Sequence, residues 1–108
     1  MTSNRKPDSL FGAKLRFHFS EGPMKDKDFD HVFRGETAVD WSLVGSATTT
    51  TSRGTLIQIG DSCYVGSYIT ASGYTLTAAM NLASGELCAF ASDGKYWSTH
   101  RGQVKRLA

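Results

Sequence analysis

Cysteine and proline are scarce in this chain, two of each in 108 residues. Cys63 and Cys88 fall inside predicted strands and lack the CxxC or Cys/His spacing of zinc sites, so they read as reduced, buried, small apolar residues rather than a disulfide. No apolar run approaches the roughly 18 residues of a membrane span, and the opening "MTSNRKPDSLFGAKL" has no apolar stretch of signal-peptide length. A cytoplasmic protein with no membrane partner is expected. Charge of one sign is also lacking: twelve Lys and Arg against ten Asp and Glu leave a net +2, too small a bias to imply nucleic acid unless the charges cluster. Arg5, Lys6, Lys14 and Arg16 near the start and Arg101, Lys105 and Arg106 near the end form at most a basic edge, read as solvated surface. The chain has no HExxH, no GxxxxGK[ST] and no GxSxG. His18, His31 and His100 stand singly, so neither a metal nor a cofactor is expected.

What is there is period-two alternation. Residues 1–10 are polar and aperiodic and read as a flexible arm, and residues 11–108 as one domain. Leu15, Phe17 and Phe19 alternate with Arg16, His18 and Ser20, the mark of a half-buried strand. Alternation returns at Phe29, His31 and Phe33 and again over Ala38 to Val44. "GSATTTTS", Gly45 to Ser52, reads as a polar linker or long loop. Further strands are expected at Thr55–Ile59, Cys63–Thr70, Tyr74–Asn81, Glu86–Ser92 and about Tyr96–Arg101, joined by glycine turns of hairpin length. About eight strands at regular spacing with no helical stripe predict an all-β, antiparallel up-and-down barrel, whose interior is just wide enough for side chains or one small ligand.

The stretch from Val65 to Ser92 contains one charged residue, Glu86, as suits a curved wall that packs on, or cups, something apolar. His31 shares a face with Phe29 and Phe33; if they point inward, burial lowers its pKa and favours the neutral ring. Asp40 and Trp41 are adjacent, so one of them faces inward, and hydrophobicity alone favours Trp41. Tyr64 and Tyr68 share a face, and Tyr74 opens the return strand; phenols suit a pocket for an aromatic or carboxylate ligand. Trp97, His100 and Arg101 in "YWSTHRG" are placed to close one mouth of a barrel, with Arg101 available to an anion.

"LRFHFSEGPMKDKDFDHVF", "VDWSLVG", "SYITASGYTLTAAMNLASGEL" and the closing tryptophan and Arg-Gly resemble the MoaF-like family, related to molybdenum cofactor biosynthesis protein F, over about Phe11 to Leu107. The resemblance implies a small calycin-like, lipocalin-like barrel with a central cavity, often as a homodimer, and little about chemistry. A second resemblance, to phenolic acid decarboxylases, covers the first strands and "VDW". Where that family carries tyrosines, an arginine and a glutamate, the matching positions here are Phe17, Phe19, Phe29, Ser42 and Thr70. Each lacks the group that would hold the carboxylate or phenolate or move a proton, so that activity is not expected. The same alignment turns Ser42 inward, and with it Asp40, against the preference for Trp41; one β-bulge would decide between them.

Two functions compete on these grounds. The first is binding of a small apolar or aromatic molecule by Phe17, Phe19, Phe29, Trp41, Ser42, Tyr64, Tyr68, Thr70 and Arg101, without a cofactor. The second is a cofactor-independent lyase, isomerase or cyclase with Asp40 or His31 as catalytic proton shuttle. Single-stranded nucleic-acid binding by an aromatic, basic outer surface is a more distant third.

Overall fold

The computed structural model describes residues 10–35 and 37–107. Eight strands follow one another: β1 (Lys14–Glu21), β2 (Asp28–Phe33), β3 (Ala38–Leu43), β4 (Thr50–Gly60), β5 (Cys63–Ile69), β6 (Thr75–Asn81), β7 (Glu86–Ser92) and β8 (Trp97–Arg106). Each pairs antiparallel with its chain neighbour, and β8 returns to β1, so the sheet closes into the expected up-and-down barrel. No helix among the described residues is long and apolar enough to cross a membrane.

Alternation sets the inner wall. Leu15, Phe17 and Phe19 are almost completely buried, whereas Arg16, His18 and Ser20 between them are not, because successive side chains on a strand point to opposite faces. The same parity turns His31 and Phe33 inward on β2, Val39 on β3, Tyr64 and Tyr68 on β5, and Leu87 and Ala89 on β7. On the outside, Arg16 holds Asp30 through two hydrogen bonds of 2.8 and 3.0 Å, and His18 meets Asp28 at 2.6 Å. The sparsely charged stretch after Val65 appears on the outer wall as well, where Ile69 and Phe90 are about half exposed. Cys63 and Cys88 are free and only half-buried on that wall, less enclosed than the sequence suggested.

Three boundaries differ from the sequence reading. Residues 1–9 of the expected arm lie outside the described residues, but Leu10 is core, 3% exposed. The Ala13 N–H donates to the Leu10 carbonyl and the Gly12 N–H to Phe33, fixing this segment at one end of the barrel. The polar run expected as a loop through Ser52 becomes strand at Thr50, where Thr50, Thr51 and Ser52 pair with Trp41, Asp40 and Val39. Threonine fits a pleated surface well despite its polarity. Finally, β8 continues past Arg101 to Arg106, because its second half serves as the partner of β1.

Closure depends on Gly102. It sits opposite Phe19, beside a register shift between Phe19 and Glu21, and a Cβ there would run into the His18 carbonyl. Backbone cannot swing aside as a side-chain tip can, so overpacking at this point separates the seam. Gly102→Ala is expected to lower the unfolding free energy by roughly 3 kcal/mol or more, or to prevent folding. Urea denaturation measures this, and a loss below about 1 kcal/mol would show that the seam tolerates the methyl group.

Candidate functional site

The antiparallel order gathers the β1–β2, β3–β4, β5–β6 and β7–β8 connections at one end of the barrel. At that end a cavity of about 460 Å³ opens inward, within the range of small-molecule sites. A second depression of similar volume lies at the opposite end, around Leu10, Tyr64, Leu82 and Lys105, where Leu10 and Tyr64 are themselves buried core.

Aromatic rings build the first wall of the cavity. Phe19 and Phe29 meet edge to face at 6.0 Å, and Trp41 lies 5.8 Å from Tyr68. The Trp41 indole N–H donates to Ser52 Oγ at 2.9 Å, which satisfies its polar edge and leaves its face for the interior. Facing these rings stand Leu76 and Ala91, with Met24 from the β1–β2 connection and Tyr96 and Trp97 at the rim. None of the described residues lining the cavity is Asp, Glu, Lys or Arg.

His31 and Tyr68 supply the buried polar contact. His31 Nε2 lies 2.8 Å from Tyr68 Oη, and the ring stacks on Phe17 with centroids 4.0 Å apart. Burial pushes the His31 pKa down to about 3, with the Phe29 backbone and Asp30 opposing weakly. Burial also raises the Tyr68 phenol above its ordinary value. Each shift disfavours the charged form, so the two groups form a neutral pair. Across the cavity, Ser98 Oγ and His100 Nε2 are 2.9 Å apart, and burial lowers the His100 pKa.

The other predicted site residues separate into inside and outside. Phe19, Phe29, Trp41, Tyr68 and Thr70 line the cavity; Phe17 lies behind His31. Thr70 uses its hydroxyl in the β5–β6 turn, where it accepts the Tyr74 N–H at 3.1 Å. Tyr64 faces inward at the opposite end. Asp40 is a correction to the inward alternative: Trp41 takes the interior, and the Asp40 carboxylate outside accepts from Thr51 at 2.6 Å and Arg34 at 2.8 Å. Thr51 first, then Arg34, holds its pKa below the ordinary carboxylate range. Ser42 shares that outward parity, opposite Asp30. Arg101 is exposed and pairs with Glu21 and Cys88 on the outer sheet; it does not reach the cavity mouth, whereas Trp97 and His100 do. Sequence reasoning missed Ser52, hidden in a polar run, and Ser98, whose two-residue spacing from His100 on one strand was the available signal.

No family model matches the chain, and no curated protein does. Among solved structures, the chain is similar to the crystal structure of a putative beta-lactamase from Burkholderia vietnamiensis. The two share 11% identity at a TM-score of 0.73, covering 97% of this chain and 100% of that one. At that identity the likeness is one of fold.

The neutral state of His31 has a thermodynamic consequence. The unfolded chain takes up a proton near pH 6.5 that the folded ring refuses until about 3, so stability is complete above the first value and declines toward the second. The slope is at most about 1.4 kcal/mol per pH unit for one histidine, and His100 adds in the same direction. Asp30 and Asp40, both held below 3.8, withdraw stability only under that pH. Urea unfolding at pH 7 and pH 5 is therefore expected to differ by about 2 kcal/mol or more, and His31→Gln to remove much of the difference. An unchanged slope in the variant would place the proton elsewhere.

Proposed function

We propose that this barrel binds a small, largely apolar or aromatic molecule in the cavity at its open end, without a cofactor. The observation that carries this reading is an uncharged, aromatic-walled cavity of about 460 Å³ with a buried polar pair on its wall. Apolar enclosure supplies affinity, at about 25 cal/mol per Å² of surface removed from water, and a few placed polar groups supply orientation. The resemblance to MoaF-like, lipocalin-like domains agrees with it, and the protein would act as a carrier or sensor of its ligand.

An enzyme on the same barrel is the competing reading, favoured by Ser98 and His100 at hydrogen-bond distance on the cavity wall. A serine activated by histidine also needs a group that orients the ring. His100 Nδ1 has no hydrogen-bond partner among the described residues, and burial works against the imidazolium. His31 and Tyr68 resist charging in the same way, and Asp40 lies outside, so binding ranks ahead of turnover. For nucleic acid, Arg16 is already committed to Asp30.

Ala91 lies on β7 between Leu76 and Ser98, where a larger side chain fills the cavity without touching the seam. The neutral dye Nile red is expected to brighten on binding to the native protein, and Ala91→Trp to weaken that binding at least tenfold while the barrel stays folded. Equal binding by both proteins would locate the dye on the outer wall.

A further inference from the structure

Tyr68 Oη makes a single hydrogen bond among the described residues, to His31 Nε2, and His31 Nδ1 makes none. A neutral imidazole carries one proton, on one nitrogen or the other. With the proton on Nε2, His31 donates to Tyr68, the buried phenol proton is left without an acceptor, and a bare Nδ1 is left unpaired. With the proton on Nδ1, Nε2 accepts the Tyr68 O–H, and the Nδ1–H alone is left unpaired. The second arrangement leaves one buried polar group unpaired rather than two, and each costs about 1–3 kcal/mol.

That polarity fixes what the cavity can read. Tyr68, its proton given to His31, presents its oxygen as an acceptor, and no charged residue lines the wall to receive an ion. A carboxylate or ammonium would surrender its hydration without a counterion. We infer that the cavity selects neutral ligands carrying a hydrogen-bond donor, a hydroxyl or N–H on an apolar or aromatic frame, and that Tyr68 Oη is the acceptor that recognises it. Tyr68 is the specificity residue, and His31 is a positioning residue that orients its proton. This rests on the cavity-binding reading above and adds to it the ligand class.

The test uses four probes with one ring system, naphthol, methoxynaphthalene, naphthoate and naphthylmethylammonium, titrated calorimetrically into the full chain. Naphthol is expected to bind about tenfold tighter than methoxynaphthalene, and both ions more weakly than naphthol. The double variant His31→Phe, Tyr68→Phe keeps ring volume while removing both polar partners, and is expected to bring naphthol and methoxynaphthalene within twofold of each other. Histidine-ring nitrogen shifts, measured by NMR on the native protein without any ligand, are expected to show His31 protonated on Nδ1. They decide the polarity even if the double variant does not fold. A proton on Nε2, equal binding of naphthol and methoxynaphthalene, or tighter binding of either ion overturns this inference alone. Binding of none of the probes overturns it together with the cavity-binding reading.

Discussion

Closing eight strands into a ring fixes the width of the interior, and everything inside this protein follows from how side-chain volume is distributed along that fixed bore. Toward one end, Phe17, Phe33, Leu56, Met80, Leu87 and Val104 fill it, and Leu10 is buried with them. Toward the other, Phe19, Phe29, Trp41 and Tyr68 stand on β1, β2, β3 and β5, while β7 and β8 offer the small Ala91 and Ser98 opposite them, with His100 beside and Trp97 at the rim. The strands cannot move inward to take up the missing volume, because the seam between β1 and β8 holds the circumference. A cavity therefore remains where the facing side chains are small. A protein interior usually packs to the density of organic crystals, which makes an unfilled half-barrel an informative departure.

The polar content of that space is arranged to stay neutral. His31 and Tyr68 are coupled by one hydrogen bond between β2 and β5, and desolvation opposes ionisation of both. Such a pair is a poor proton shuttle near neutral pH, since catalytic groups work best with pKa values close to the operating pH. It is well suited to orienting a ligand, because each member fixes the other's proton. The ionised carboxylates meanwhile lie on the outer surface, Asp30 with Arg16 and Asp40 with Arg34, where exposed pairs contribute little to stability.

Much of this was legible in the chain itself, and the failures have identifiable causes. Period-two alternation located most strands and turned Phe17, Phe19, Phe29 and His31 inward, and hydrophobicity alone turned Trp41 inward. The alignment with decarboxylases turned Asp40 and Ser42 inward instead. Asp40 is stabilised outside by Thr51 across the sheet and Arg34 across a turn, a geometry that no local pattern encodes. The start of β4 was hidden because threonines and serine on a strand resemble a loop in composition, and the inward role of Ser52 was hidden with it. The end of β8 was hidden by Gly102, which ordinarily weakens a strand and here permits the close approach of β1. Tyr64 and Tyr68 share a face, as alternation requires, but their separation along β5 places them at opposite ends of the barrel.

On the reading proposed above, the open half of the barrel holds a small molecule. Native mass spectrometry of protein purified gently from its own host, followed by extraction and identification of what it releases, tests this most directly. A stoichiometric, neutral, mainly apolar compound that leaves on denaturation is the expected result. A protein that carries nothing, and whose melting temperature stays unchanged across a library of neutral aromatic and apolar metabolites, would contradict it.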